Sequence, residues 1–364
     1  MSYPSYPYDY MYPNEVVDGL VWLPIVATYM LFISLASGSA ILVSLGVLFN
    51  VGVLRRLTPL LLMVSLASGL SFLLGPLADL RRPDRAIYIF IYPHVIPSEQ
   101  YPGVSLIALM ASFMWPLLVI LLVATWYLAL YKGLWDFFVT RIITLMLILV
   151  GLVLSTYPAL LLFTALPILK IYNLIPLLPA EVLMESIALA CSIALLTLIV
   201  HYRIAEASIS RLLGLGVIVA GVIFVLLRFL EMFRLHAYLA GAPHIQIFLE
   251  VFTGLNIVTL ILALISILLA VHVYFKGLKI SSILLALVVL LWVFVDRWLL
   301  VVNIQSISKT LIAIIPVSLD LVSWALESIA MILLAMFIYY VLYTWVIKTP
   351  LLTLKGEGGR GGVG

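Results

Sequence analysis

The segment DLRRPDR, Asp79 to Arg85, puts five of the chain's thirty-five acidic and basic residues into seven positions. It interrupts a sequence that is 65% hydrophobic and only 10% charged. An apolar segment precedes it and another follows, so the charges sit at or near a bilayer surface. Charge there is costly unless it is paired or used. Two chemistries fit Asp79. It can close a helix end as an ion pair with Arg81, Arg82 or Arg85. It can also trade protons with a substrate in the bilayer, as intramembrane carboxylates often do.

Further ionisable residues lie in or at the ends of apolar runs. Arg228 and Glu231 are three residues apart, a spacing that puts them on one helix face and favours a local ion pair. Arg234 and His236 follow. Asp296 and Arg297 are adjacent and point in different directions, so each is expected to meet another helix. Glu327 needs a basic partner, and Arg297 and Arg228 are the candidates, which would make a polar network. Glu181 and Glu185 are one turn apart at a helix start, where the helix dipole favours a carboxylate. That accounts for Glu181 better than for Glu185. Glu250 and Asn256 read as interhelical hydrogen-bonding groups.

The histidines are His94, His201, His236, His244 and His272. A membrane haem wants two at matching depth on facing helices. His201 and His272 could meet that condition, although histidines at helix ends are ordinarily interfacial. The metalloprotease, phosphate-loop, serine-hydrolase and dinucleotide fingerprints are not present. The single cysteine, Cys191, can form no internal disulfide and cannot by itself ligate an iron–sulfur cluster.

The elements that must hold these residues are membrane helices. The mean hydropathy of +1.28 over 364 residues excludes an ordinary soluble domain. Inside lipid every backbone polar group must be paired within its own segment, so apolar runs of about 20 residues become helices. Nine are expected: Leu20–Phe49, Thr58–Ala78, Val104–Tyr131, Ile142–Leu166, Glu181–Tyr202, Leu212–Glu231, Ile245–Phe275, Ser281–Val302 and Val317–Ile347. Splitting the last would give ten. The fold class is all-α, a polytopic transmembrane bundle of about nine helices spanning residues 20–347. Residues 1–19, rich in Tyr and Pro, lack the layout of a cleaved signal peptide. They read as an extended segment at the interface or on a partner, or as a disordered tail. Residues 348–364 are flexible by composition.

Loop charge sets the orientation. With the N-terminus outside, the inner side carries Arg55, Arg56, Lys132, Arg141, Arg203, Arg211, Lys276, Lys279, Lys348, Lys355 and Arg360. The outer side carries Arg81, Arg82, Arg85, Lys170, Arg228, Arg234, Arg297 and Lys309. The excess favours N-out and C-in at a plasma membrane. The two long irregular connections, Asp79–Gly103 and Pro167–Pro179, then face outward. A net charge of +3 spread along the chain argues against nucleic-acid binding.

The stretch Leu73–Gly103 resembles the NrfD/polysulfide reductase membrane-subunit (PsrC-like) family. That family often carries an aspartate, a short basic turn near D-L-G-R-P-x-R, and a Ser-to-Gly entry into the next helix. Here Arg81 stands in the place of the glycine, and the entry runs from Ser98 to Gly103. Other stretches agree. Tyr29–Ser39 resembles the opening of the family's first helix. Ser155, Tyr157 and Pro158 resemble a later S-Y-x-G. Leu178, Pro179, Glu181, Glu185 and Ser186 follow at a family-like distance. Asp296, Arg297, Trp298, Asn303, Pro316, Trp324 and Glu327 resemble the C-terminal part of longer members.

The resemblance implies two four-helix bundles plus an extra helix, with no haem or metal in this chain. It implies a subunit that passes electrons between a menaquinone-like quinone and an iron–sulfur partner serving a catalytic, molybdopterin-type subunit. Proton translocation is a possible accompaniment. Tyr29 and Tyr157 would contact the quinone and Asp79 would lie beside it. Tyr29 replaces a histidine of some members. His94 is added from its own chemistry as a titratable group in the outer connection. The arginines Arg81, Arg82 and Arg85, with the polar network, would dock partners or cap the site. The competing reading is a transporter or proton channel lined by Glu327, Arg297 and Glu231. A third is an anchor whose charges only dock partners.

Overall fold

The computed structural model describes residues 24–79, 106–165, 175–200, 206–239, 246–277, 279–303 and 321–346. Among these every regular element is helical and none is a strand. Nine helices among the described residues are long and apolar enough to cross a membrane, as the hydropathy pattern predicts. They are α1 (Ile25–Leu48), α2 (Gly52–Ser71) with its short continuation α3 (Leu74–Asp79), α4 (residues 106–131) and α5 (Phe138–Ala165). Then come α6 (Leu178–Val200), α7 (Ala207–Leu239), α8 (Gln246–Lys276), α9 (Lys279–Trp298, with a π-turn to Asn303) and α10 (Leu321–Val341). The last span is continuous, not split.

Packing divides them into two groups of four. In the first, α1 packs on α2 and α5, and α4 packs on α5 and α2. In the second, α6 packs on α7 and α9, and α8 packs on α7 and α9. The seam runs where α6 meets α1 and α5, and where α9 meets α1. The tenth helix lies outside both groups, against α2, α1 and α3. This is the expected pair of four-helix bundles with one extra helix.

Close approach at the seam depends on Gly38. A Cβ there would come 2.0 Å from the backbone oxygen of Ser186 on α6. Small residues let membrane helices meet backbone to backbone, where dispersion drives packing because lipid is as apolar as the side chains. Buried hydroxyls are mostly satisfied by their own helix: Ser37 donates to Ile33 O at 2.8 Å and Ser44 to Ala40 O at 2.9 Å. Ser65 instead reaches across from α2 to Ala36 O on α1 at 2.7 Å. The turn between α1 and α2 places Asn50 at a φ of 53°, a left-handed conformation that Asn tolerates.

The helix order sets a common end. The starts of α1 and α6 and the ends of α5, α7 and α9 fall together with α3. Tyr29, Tyr157, Glu181, Glu185, Arg228, Glu231, Asp296 and Arg297 lie toward those termini.

Candidate functional site

A buried polar cluster joins four helices of the second group and α1. Arg228 on α7 is fully buried. Its Nη2 lies 2.8 Å from Glu181 Oε2 on α6 and 2.9 Å from Asp296 Oδ1 on α9. Its Nε donates to the same Glu181 oxygen at 2.9 Å, and its Nη1 donates to Asn256 Oδ1 on α8. Phe224 and Phe252 flank the guanidinium, with centroids 5.0 Å and 5.9 Å away. Arg297 on α9, also fully buried, pairs with Glu185 Oε2 at 2.6 Å and Asp296 Oδ2 at 3.1 Å. Its Nη2 reaches Ser34 Oγ on α1 at 3.3 Å, across the seam. Glu231 accepts a hydrogen bond from the Leu177 N–H at 3.0 Å.

Four buried carboxyl groups thus stand with two buried guanidiniums. Desolvating a charge in the interior costs several kcal/mol, which is offset only by good geometry and extra hydrogen bonds. Arg297, with a planar fork, reaches three partners on three elements, a role that suits Arg over Lys.

Several sequence expectations change here. Arg228 and Glu231 do not form the local pair their spacing suggests. The partners of Arg228 come from α6, α8 and α9, because the helix turns the guanidinium inward among three neighbours. The ion pairs of Arg297 and Arg228 go to Glu181, Glu185 and Asp296 rather than to Glu327, which is half-buried on α10, outside the second group. Glu181 does stand in the first turn of α6, as the helix-dipole reading expects, and both Glu181 and Glu185 also pair directly with arginines. Asp296 and Arg297 do each meet another helix, and they also touch each other. Asn256 bonds between helices as expected. Glu250, expected to do the same, is exposed, one turn from the start of α8.

Tyr29 and Tyr157 are both buried, on α1 and α5, which pack together. Tyr29 lies against α3: a Cβ on Gly75 would come 2.3 Å from Tyr29 Cβ and 2.4 Å from its Cδ1. Asp79 closes α3 one turn after Gly75. Tyr157 is followed directly by Pro158 inside α5, which removes a backbone donor and loosens the helix there. Arg81, Arg82, Arg85 and His94 lie outside the described residues. So do His201 and His244, which leaves the His201–His272 pair outside as well.

Beside Tyr29, α10 is tied to α1 by polar contacts that sequence spacing does not reveal. The indole N–H of Trp324 donates to Thr28 Oγ1 at 3.1 Å, and the Thr28 and Ser328 hydroxyls are 2.9 Å apart. Trp324 also meets Trp298 and Phe294 of α9, with centroids 5.1 Å and 5.9 Å away. Among the described residues no group of three or more His, Cys, Asp or Glu side chains could hold a metal ion.

No family model matches the sequence. Over 113 residues the chain is 39% identical to a subunit of tetrathionate reductase from Archaeoglobus fulgidus. The match covers 31% of this chain and 30% of the relative, so the chain spans about a third of the length of the curated relative that it matches. This helical, multi-pass membrane protein is therefore similar, over part of its length, to one subunit of a reductase complex.

Proposed function

We propose that the chain is the quinone-reactive membrane subunit of a respiratory reductase complex of the NrfD/polysulfide reductase type. It would pass electrons between a menaquinone-like quinone and an iron–sulfur partner, which serves a molybdopterin subunit acting on a sulfur compound. The observation that carries this reading is the gathering of buried tyrosine, acid and arginine side chains at one end of the bundle. The likeness to part of a tetrathionate reductase supports the class of complex.

A quinone supplies two-electron chemistry and exchanges two protons with it. The residues fit that need. Phenols on two adjacent helices can donate hydrogen bonds to two carbonyl oxygens. Asp79, one turn beyond the Tyr29 contact on α3, is suited to take or give a proton. The buried cluster holds more carboxyl groups than guanidiniums, so it can store protons as well as charge. That is the basis on which proton translocation would accompany electron transfer. The N-out orientation would set the tyrosines and the cluster at the outer face, within reach of a docked iron–sulfur subunit.

Asp79→Asn and Tyr157→Phe are expected to abolish quinone-linked turnover while the complex still assembles. Wild-type turnover in both purified variants would sink the assignment. The cluster also favours a second reading, a transporter or proton channel, because it links five helices through the interior. Solute or proton flux in vesicles holding this chain alone, with no quinone-site inhibitor binding, would establish that reading instead.

A further inference from the structure

At the opposite end of the bundle, the turn between α4 and α5 carries cations that its own acids do not neutralise. Asp136 Oδ1 lies 2.7 Å from Arg55 Nη2 and 3.4 Å from Arg141 Nη2. One carboxylate thus answers two guanidiniums. Lys132 has aromatic neighbours: its Nζ is 5.5 Å and 5.4 Å from the ring centroids of Tyr127 and Tyr131. Those rings stack at 5.6 Å and make a face for an ammonium. Arg55 likewise sits 5.4 Å from the centre of the Trp135 ring. By contrast, Arg56 has Glu206 at 3.4 Å.

The same turn exposes large apolar side chains. Tyr131 is 66% exposed, Phe137 50% and Phe138 72%. Aromatic rings of this kind settle at the headgroup level, with cations beside them in the polar layer. The excess positive charge and the apolar collar together match a ligand with an anionic head and an apolar body.

We infer that the 131–141 turn seats the headgroup of an anionic phospholipid, with Lys132 and Arg141 meeting the phosphate and Arg55 supporting it from α2. Paired guanidinium and ammonium donors suit a phosphate, to which charge-assisted hydrogen bonds are short and strong. Asp136 competes with the lipid for Arg141, so it limits the affinity of the site. This site is separate from the tyrosine and acid cluster, and it stands whether or not a quinone binds there.

The test titrates the detergent-extracted protein, with whatever partners copurify, with phosphatidylglycerol, and reads bound lipid by native mass spectrometry. Lys132→Gln should weaken retention about fivefold, and Lys132→Gln with Arg141→Gln about 25-fold, by the usual worth of a basic residue at an anionic surface. Asp136→Asn should strengthen it, which a merely structural role for the Asp136 pairs would not produce. Arg211→Gln, an exposed cation at the same end of the bundle, should change nothing. Three results would overturn the site: equal retention in the double variant, equal loss in Arg211→Gln, or full displacement of the lipid by inorganic phosphate. Equal loss in Arg211→Gln would mean a diffuse basic surface, and displacement by phosphate would mean a free-anion site.

Discussion

Gly75→Ala tests the joint between α3 and α1. The added Cβ would stand 2.3, 2.4 and 2.5 Å from Tyr29 Cβ, Cδ1 and Cγ, where ordinary contact begins at 3.4 Å. The separation must therefore grow by about 1.1 Å. Tyr29 is only 5% exposed and its first side-chain atom is among those struck, so a rotamer change alone does not relieve the clash. Overpacking of this kind costs about 1–3 kcal/mol. A shift of about 1 Å between groups that must act together can cost about 100-fold in rate. The expected result is an assembled complex with lower thermal stability and quinone-linked turnover reduced by one to two orders of magnitude. Thermal unfolding in detergent reads the first quantity, and quinol-dependent turnover reads the second. Tyr29→Ala in the same chain removes Cγ and Cδ1 but keeps the Cβ struck at 2.3 Å, so the double variant should stay destabilised and should not regain turnover. Stability and turnover both at wild-type level in Gly75→Ala would refute the packing of α3 on Tyr29. Lost stability with normal turnover would keep the packing and refute the role of Tyr29.

Three further outcomes are expected. Arg297→Ala leaves Glu185 buried without its paired arginine and Asp296 with Arg228 alone, and should cost about 3–5 kcal/mol in detergent denaturation. Gly38→Ala drives a methyl group into the backbone of Ser186 and should separate α1 from α6, which a lowered melting temperature would report. Arg55, hydrogen-bonded to Asp136, holds the Asp136 carboxyl below its ordinary value of 3.8. Because the folded value is the lower one, the pairing supports the turn above that ordinary value and is lost as pH falls through the folded value. Protection of the amides of residues 132–137 against exchange, taken relative to their intrinsic rates at each pH, should therefore fall in acid, and Asp136→Asn should remove most of that dependence.

The membrane spans were legible in the sequence because burial in lipid demands long apolar runs, and those runs follow one another along the chain. Pairings between helices carry no such spacing. Glu181 and Arg228 are 47 residues apart, and Arg297 and Ser34 are 263 apart. The local rule for Arg228 and Glu231 therefore gave the wrong partner. A usable signal did exist: Glu181 and Glu185, at i and i+4, present two acids on one face of an apolar helix. Such a face implies cations opposite, and Arg228 and Arg297 are the arginines that lie within apolar helices at the matching depth. Tyr29 was singled out through family likeness, whereas Gly75, which packs against it, shows itself only when the two backbones are seen together. Thr28 and Ser328 gave no warning, since buried hydroxyls ordinarily bond their own helix.

The pairing across α6, α7 and α9 also bears on how the chain is made. The sixth helix, with two acids, leaves the ribosome before the arginines that answer them. Each acid near a helix centre opposes insertion by about 2.5–3.5 kcal/mol until it is paired, less nearer the ends. Release of α6 from the insertion machinery into lipid should therefore wait for α7, and completion for α9. Synthesis stopped after α6 would leave that helix crosslinkable to the translocon, and extension through Arg297 would free it.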